Sequence, residues 1–134
     1  MTLSTQDALI HIMMATASSD ATISSEEIMR VQGLIGRMPI FRDFDSDRLE
    51  GVANAGIDAI NTVGIEAALE AAVAAIPARL HDTAYAVAVE VAVVDLRLEQ
   101  EQLRLLEMLR DRLSVDRLTT AAIEAAARAR MRTP

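Results

Sequence analysis

Two segments of this 134-residue chain carry the same pattern, and that repetition limits the folds open to it more than any other feature. Ala17, Asp20, Ile23 and Glu26 recur as Ala92, Asp95, Leu98 and Glu101, each 75 positions later. Beyond them, Ile28, Val31, Leu34 and Met38 recur as Leu103, Leu106, Leu109 and Leu113. Every pair keeps its chemical type. The apolar members lie three and four apart, which is the spacing of one helix face. Each copy, residues 5–38 and 80–113, therefore reads as a buried helix, a short acidic turn and an amphipathic helix. One helical hairpin cannot bury its apolar face alone, so the two are expected to pack together with pseudo-twofold symmetry.

Helix signals fill the rest of the chain. Ser4, with Asp7 three residues on, caps a first helix from Thr5 to about Ser18. Ser24-Ser25-Glu26-Glu27 is a capping box, in which the Ser24 hydroxyl takes a free N–H and Glu27 reaches back. The helix behind it ends at Pro39, because proline disfavours a helical residue before it. The segment Pro39–Asp45 reads as a loop that turns Phe41 and Phe44 inward. Asp45 or Ser46 caps a third helix to about Asn61, Val63-Gly64 breaks the pattern, and Ile65, Leu69 and Val73 mark a short fourth helix before Pro77.

The stretch Ala84–Val94 looks at first like a strand, since Val87, Val89, Val91 and Val93 alternate with Ala86, Ala88 and Ala92. The alternation is of large and small apolar residues, however, and alanine is the best helix former and a poor strand former. No other segment offers a pairing strand. The stretch is read as a buried central helix from about Asp82 to Asp95, with Glu90 its lone interior charge. A sixth helix from about Glu99 to Leu113 carries a stripe of Leu103, Leu106, Leu109 and Leu113. Ser114 or Asp116 caps an Ala-rich seventh helix ending in Arg128, Arg130 and Arg132, where cations suit the helix dipole. The fold class is all-α, a single domain of about seven helices, built as two pseudo-twofold related hairpins around the buried central helix.

Composition removes whole classes of function. With no Cys there is neither a disulfide framework nor a thiolate zinc site. Thirteen basic residues, all Arg, against twenty acidic ones leave a net charge of −7, which opposes a nucleic-acid partner. One Tyr and two Phe give base stacking little to work with. The N-terminal residues have neither a basic nor an apolar leader segment, and no apolar run is long enough to span a bilayer. The expectation is a cytoplasmic protein with no transmembrane segment, acting on protein partners, with homo-oligomerisation left open.

The repeated unit, Ala-x-x-Asp-x-x-Ile/Leu-Ser/Glu-x-Glu, resembles the TerB-like family, helical proteins associated with bacterial tellurite resistance. The copies are Ala17-Ser18-Ser19-Asp20-Ala21-Thr22-Ile23-Ser24-Ser25-Glu26 and Ala92-Val93-Val94-Asp95-Leu96-Arg97-Leu98-Glu99-Gln100-Glu101. The resemblance covers roughly Ser4 to Ala127. The glycine common after the family's Asp is Ala21 in one copy and Leu96 in the other. The resemblance implies a non-enzymatic accessory module of the response to tellurite or related stress, acting through an acidic interaction surface.

Read on their own chemistry, Asp20, Glu26, Asp95 and Glu101 are the candidate metal ligands. Carboxylate oxygens are hard donors suited to a divalent cation such as calcium, and a twofold could bring all four together. Helix capping is the competing account of the same residues. The EF-hand pattern does not fit, since no glycine stands at the sixth position from Asp20. Glu90 is expected to reach a surface groove or an Arg such as Arg110. His11 and His81 could join a zinc site only if they converge. Gly33 and Gly36 either permit a close helix crossing or weaken the helix end. No nucleophile elbow or phosphate-binding loop is present, so no catalytic residue and no cofactor beyond that cation is assigned.

Overall fold

A computed structural model describes residues 3–17, 24–94 and 100–134. Among them are seven α-helices and no strand. They are α1 (Thr5–Ala17), α2 (Ser25–Arg37), α3 (Leu49–Val63), α4 (Ile65–Ala74), α5 (His81–Val94), α6 (Gln100–Arg112) and α7 (Arg117–Arg130). Short 3-10 turns at Pro39–Phe41, Ser46–Arg48 and Ala78–Leu80 join them. None of these helices is long and apolar enough to cross a membrane.

The helix ends follow local chemistry. The Ser24 hydroxyl accepts from the Glu27 N–H at 3.1 Å, and the Glu27 carboxylate accepts from the Ser24 N–H at 3.0 Å, closing the capping box. Asp116, rather than Ser114, caps α7 by accepting from the Thr119 N–H at 2.8 Å. That bond pulls the Asp116 carboxyl below its ordinary pKa. Asp45 caps the 3-10 turn, so α3 begins at Leu49, later than the sequence suggested. Gly64 separates α3 from α4 with φ of 89°, the one positive φ among the described residues. That conformation is cheap for glycine and explains why the two helices meet at a corner without a loop.

The core is a pair of helices. In α5, Ala84, Tyr85, Val87, Ala88 and Ala92 are fully buried, as expected. In α1, Leu9, Ile10, Ile12, Met13 and Met14 are equally buried, so the chain has two central helices and they pack on one another. Helices α3 and α4 cover α1, α7 covers α5, and the partner helices cross over, α6 touching α1 and α2 touching α5. The stripe of α6 differs from expectation. Leu103 is 45% exposed, and Leu105 joins Leu106, Leu109 and Leu113 in the core. Phe41 is buried and meets the half-buried Phe44 edge-on, with centroids 6.0 Å apart, while the Arg48 guanidinium lies 5.5 Å from the Phe44 ring.

The close helix approach occurs at Gly56, on the face of α3 turned to α1. A Cβ built there would lie 3.1 Å from the His11 ring and 3.3 Å from the His11 Cα. Gly33 and Gly36 face open space, so neither permits a crossing among the described residues. A methyl group at Gly56 would crowd the His11 ring and Cα by a few tenths of an ångström, whereas at Gly33 it would meet nothing. Overpacking of about 1–3 kcal/mol there outweighs the roughly 1 kcal/mol that alanine gains in helix propensity, so Gly56→Ala is expected to lower the urea midpoint. Gly33→Ala should raise it through better helix propensity.

Candidate functional site

Of the four carboxylates assigned as ligands, Asp20 and Asp95 lie outside the described residues. Glu101 falls in α6, and its side chain is not among those described. Glu26 stands exposed in the first turn of α2. Among the described residues no group of three or more His, Asp or Glu side chains could hold a metal ion.

The two histidines do not converge on a zinc site. His81 is buried at the start of α5 and both of its ring nitrogens are engaged. Nδ1 accepts from the Ser114 N–H at 2.9 Å, so Nε2 carries the proton and donates to the Ile76 carbonyl at 2.9 Å. No ring lone pair is left for a metal. His11 sits between α1 and α3, beside Gly56. Burial lowers its pKa, with the nearby Asp7 carboxylate and the Val52 backbone opposing.

Glu90 is 16% exposed and is engaged by Arg130 of α7, not by Arg110. Tyr85 and Glu90 are five residues apart, roughly 140° around α5, so they meet different parts of α7, Glu124 and Arg130 respectively. Arg110 lies on the Tyr85 side. The pair Glu90–Arg130 stands in an open cleft of about 680 Å³ that Leu34, Arg37, Met38 and Val87 also line.

The densest polar contact was not singled out from sequence. The Tyr85 hydroxyl donates to the Glu124 carboxylate at 2.5 Å, and Arg110 donates to the same carboxylate oxygen at 3.0 Å. Tyr85 is fully buried. One signal was available. A lone tyrosine in an apolar helix must find a partner for its hydroxyl, and Glu124 is the one acid within α7. The cluster joins α5, α6 and α7.

The chain matches no family model, no curated protein and no solved structure.

Two pH limits follow. Burial first, and the Glu124 carboxylate second, push the Tyr85 hydroxyl from 10 up to about 12. Between those values the folded chain keeps a proton that the unfolded chain has lost. The stabilisation is therefore complete below pH 10 and lost as pH rises toward 12. Tyr85→Phe should cost about 1.5–3 kcal/mol near neutrality and should flatten this alkaline loss in urea titrations. At the acid end the unfolded His11 takes up its proton near 6.5 while the folded one resists. Stability should fall as pH drops through 6.5, and His11→Asn should remove that part of the slope.

Proposed function

We propose that this chain is a non-enzymatic, TerB-like helical module, associated with resistance to tellurite or related stress, that acts through an acidic interaction surface at its two repeated turns. One contact carries the reading. The Gln102 side-chain amide lies 3.4 Å from the Thr16 carbonyl, so the last turn of α1 meets the first turn of α6. Thr16 precedes Asp20 by four positions, and Gln102 directly follows Glu101. Described residues flanking the two acidic segments thus meet, which favours the segments acting as one surface.

A second pair of contacts supports a duplicated scaffold beneath that surface. The Gln6 amide donates to the Ile40 carbonyl at 3.0 Å, tying the start of α1 to the loop after α2. His81, the residue 75 positions after Gln6, ties the start of α5 to Ser114 in the loop after α6. Both hairpins are closed at the same place by a polar side chain on backbone. The tether between the turns also favours the alternative reading, in which Asp20, Glu26, Asp95 and Glu101 hold a divalent cation such as calcium.

The test is a variant with Asp20→Asn, Glu26→Gln, Asp95→Asn and Glu101→Gln. It should melt within a few degrees of the wild type yet lose the protein partners captured from the native cell, and deletion of the chain should sensitise that cell to tellurite. Retention of the same partners, with unchanged tellurite tolerance on deletion, would overturn the proposal. Millimolar calcium that raises the melting midpoint of the wild type and not of the variant would shift the conclusion to the cation-binding alternative.

A further inference from the structure

Helix α7 and the α3–α4 hairpin cover opposite members of the central pair, and their outer faces are built alike with opposite charge. On α7 the residues turned away from α5 are Leu118, Ala122, Ala125 and Ala129, all exposed, Leu118 to 82%. Their spacing of three and four makes one stripe along the helix. Arg117 and Arg128 flank it, each one position before a stripe residue. On α4 the outward residues are Ala67, Ala71 and Ala74, also exposed and also at spacings of four and three. Glu66 and Glu70 flank that stripe, again one position before a stripe residue.

The charges segregate along with the stripes. From Leu49 to Ala78 the chain has four acids (Glu50, Asp58, Glu66 and Glu70) and no base, whereas from Arg117 onward it has four Arg and a single acid, Glu124. Arg130 is occupied by Glu90, and Glu70 by Arg112. Among the described residues Arg117, Arg128, Asp58 and Glu66 make no ion pair, although each is exposed.

We propose that these two faces bind each other in separate copies of the chain, α7 of one molecule packing on the α3–α4 face of the next. The geometry also sets a direction. At about 100° per residue, both charged rows lie on the same side of their stripe when viewed from the helix N-terminus. A parallel crossing would place the rows on opposite sides of the contact, and an antiparallel crossing brings Arg onto Glu. Alanine stripes let two helix backbones approach closely, and Leu118 becomes the one large apolar side chain that the contact covers. Because the two faces differ and lie apart on the molecule, the association is head-to-tail, and it extends or closes into a ring according to its rotation. The inference uses α3, α4 and α7 alone and stands independently of the acidic turns.

Sedimentation equilibrium tests it. The wild type should show a mass above 14.5 kDa that rises with concentration at low salt and falls to the monomer value at high salt. An Arg117→Glu/Arg128→Glu variant and an Asp58→Arg/Glu66→Arg variant should each be monomeric. An equimolar mixture of the two should associate again, because the reversed α7 of one meets the reversed α3–α4 face of the other, and the unchanged α7 and unchanged α3–α4 face also meet. Thermal melts of both variants separate lost association from lost folding. A wild type that stays monomeric at every concentration would overturn the proposal, as would variants that self-associate like the wild type or a mixture of folded variants that stays monomeric.

Discussion

The contact between α1 and α5 is the constraint from which the rest of the structure follows. Both helices are apolar nearly all round, and a helix of that kind is stable only when every side of it is covered. Packing the two together covers one side of each. The remaining sides dictate the number and place of the other helices: α3 and α4 on α1, α7 on α5, and α2 and α6 reaching across. Small residues make the pairing close. Gly56 brings α3 onto the His11 backbone, and Ala8, Ala84, Ala88 and Ala92 leave room for their larger neighbours within the core. A chain almost without aromatic residues fills its core by this route, with short side chains between closely approaching backbones.

Around this apolar centre the polar groups act as fastenings. His81 joins two loops through its two ring nitrogens, Gln6 joins α1 to the loop after α2, and Tyr85, Glu124 and Arg110 join three helices. Each would be costly to bury alone, and each is satisfied by a group far away in sequence. Such bonds discriminate among arrangements more than they add stability, because a mispacked bundle would leave the same groups without partners. A core made of Val, Ala, Leu and Met could pack in several registers, and these fastenings select one.

Much of this was legible in the sequence for reasons that can be named. The capping box at Ser24, the break at Gly64 and the helical nature of Ala84–Val94 depend on residues adjacent in the chain, so local chemistry decides them. The burial of α1 was legible from the repeat, which opens each copy on a buried helix, while its place as a second centre of the core depends on which helices come to cover it. Arg130 as the partner of Glu90, and Glu124 as the partner of Tyr85, depend on how α7 lies across α5, which no local pattern encodes. The same holds for Leu105 taking the place expected of Leu103. Glu26 was legible at a helix start because the capping box is local, whereas the contact of Gln102 with Thr16 joins residues 86 apart and no spacing encodes it.

Helix α7 is the member of the bundle held least by apolar contact. It meets the bundle chiefly through α5, burying Thr120 and Ala127 and, in part, Ile123. That is little apolar area for a helix of its length, so its docking leans on the bonds of Glu124 and Arg130. Lifting α7 away would leave the Tyr85 hydroxyl and the Glu90 carboxylate on α5 without these partners, so the helix is latched by polar groups where the rest of the bundle is glued by apolar ones.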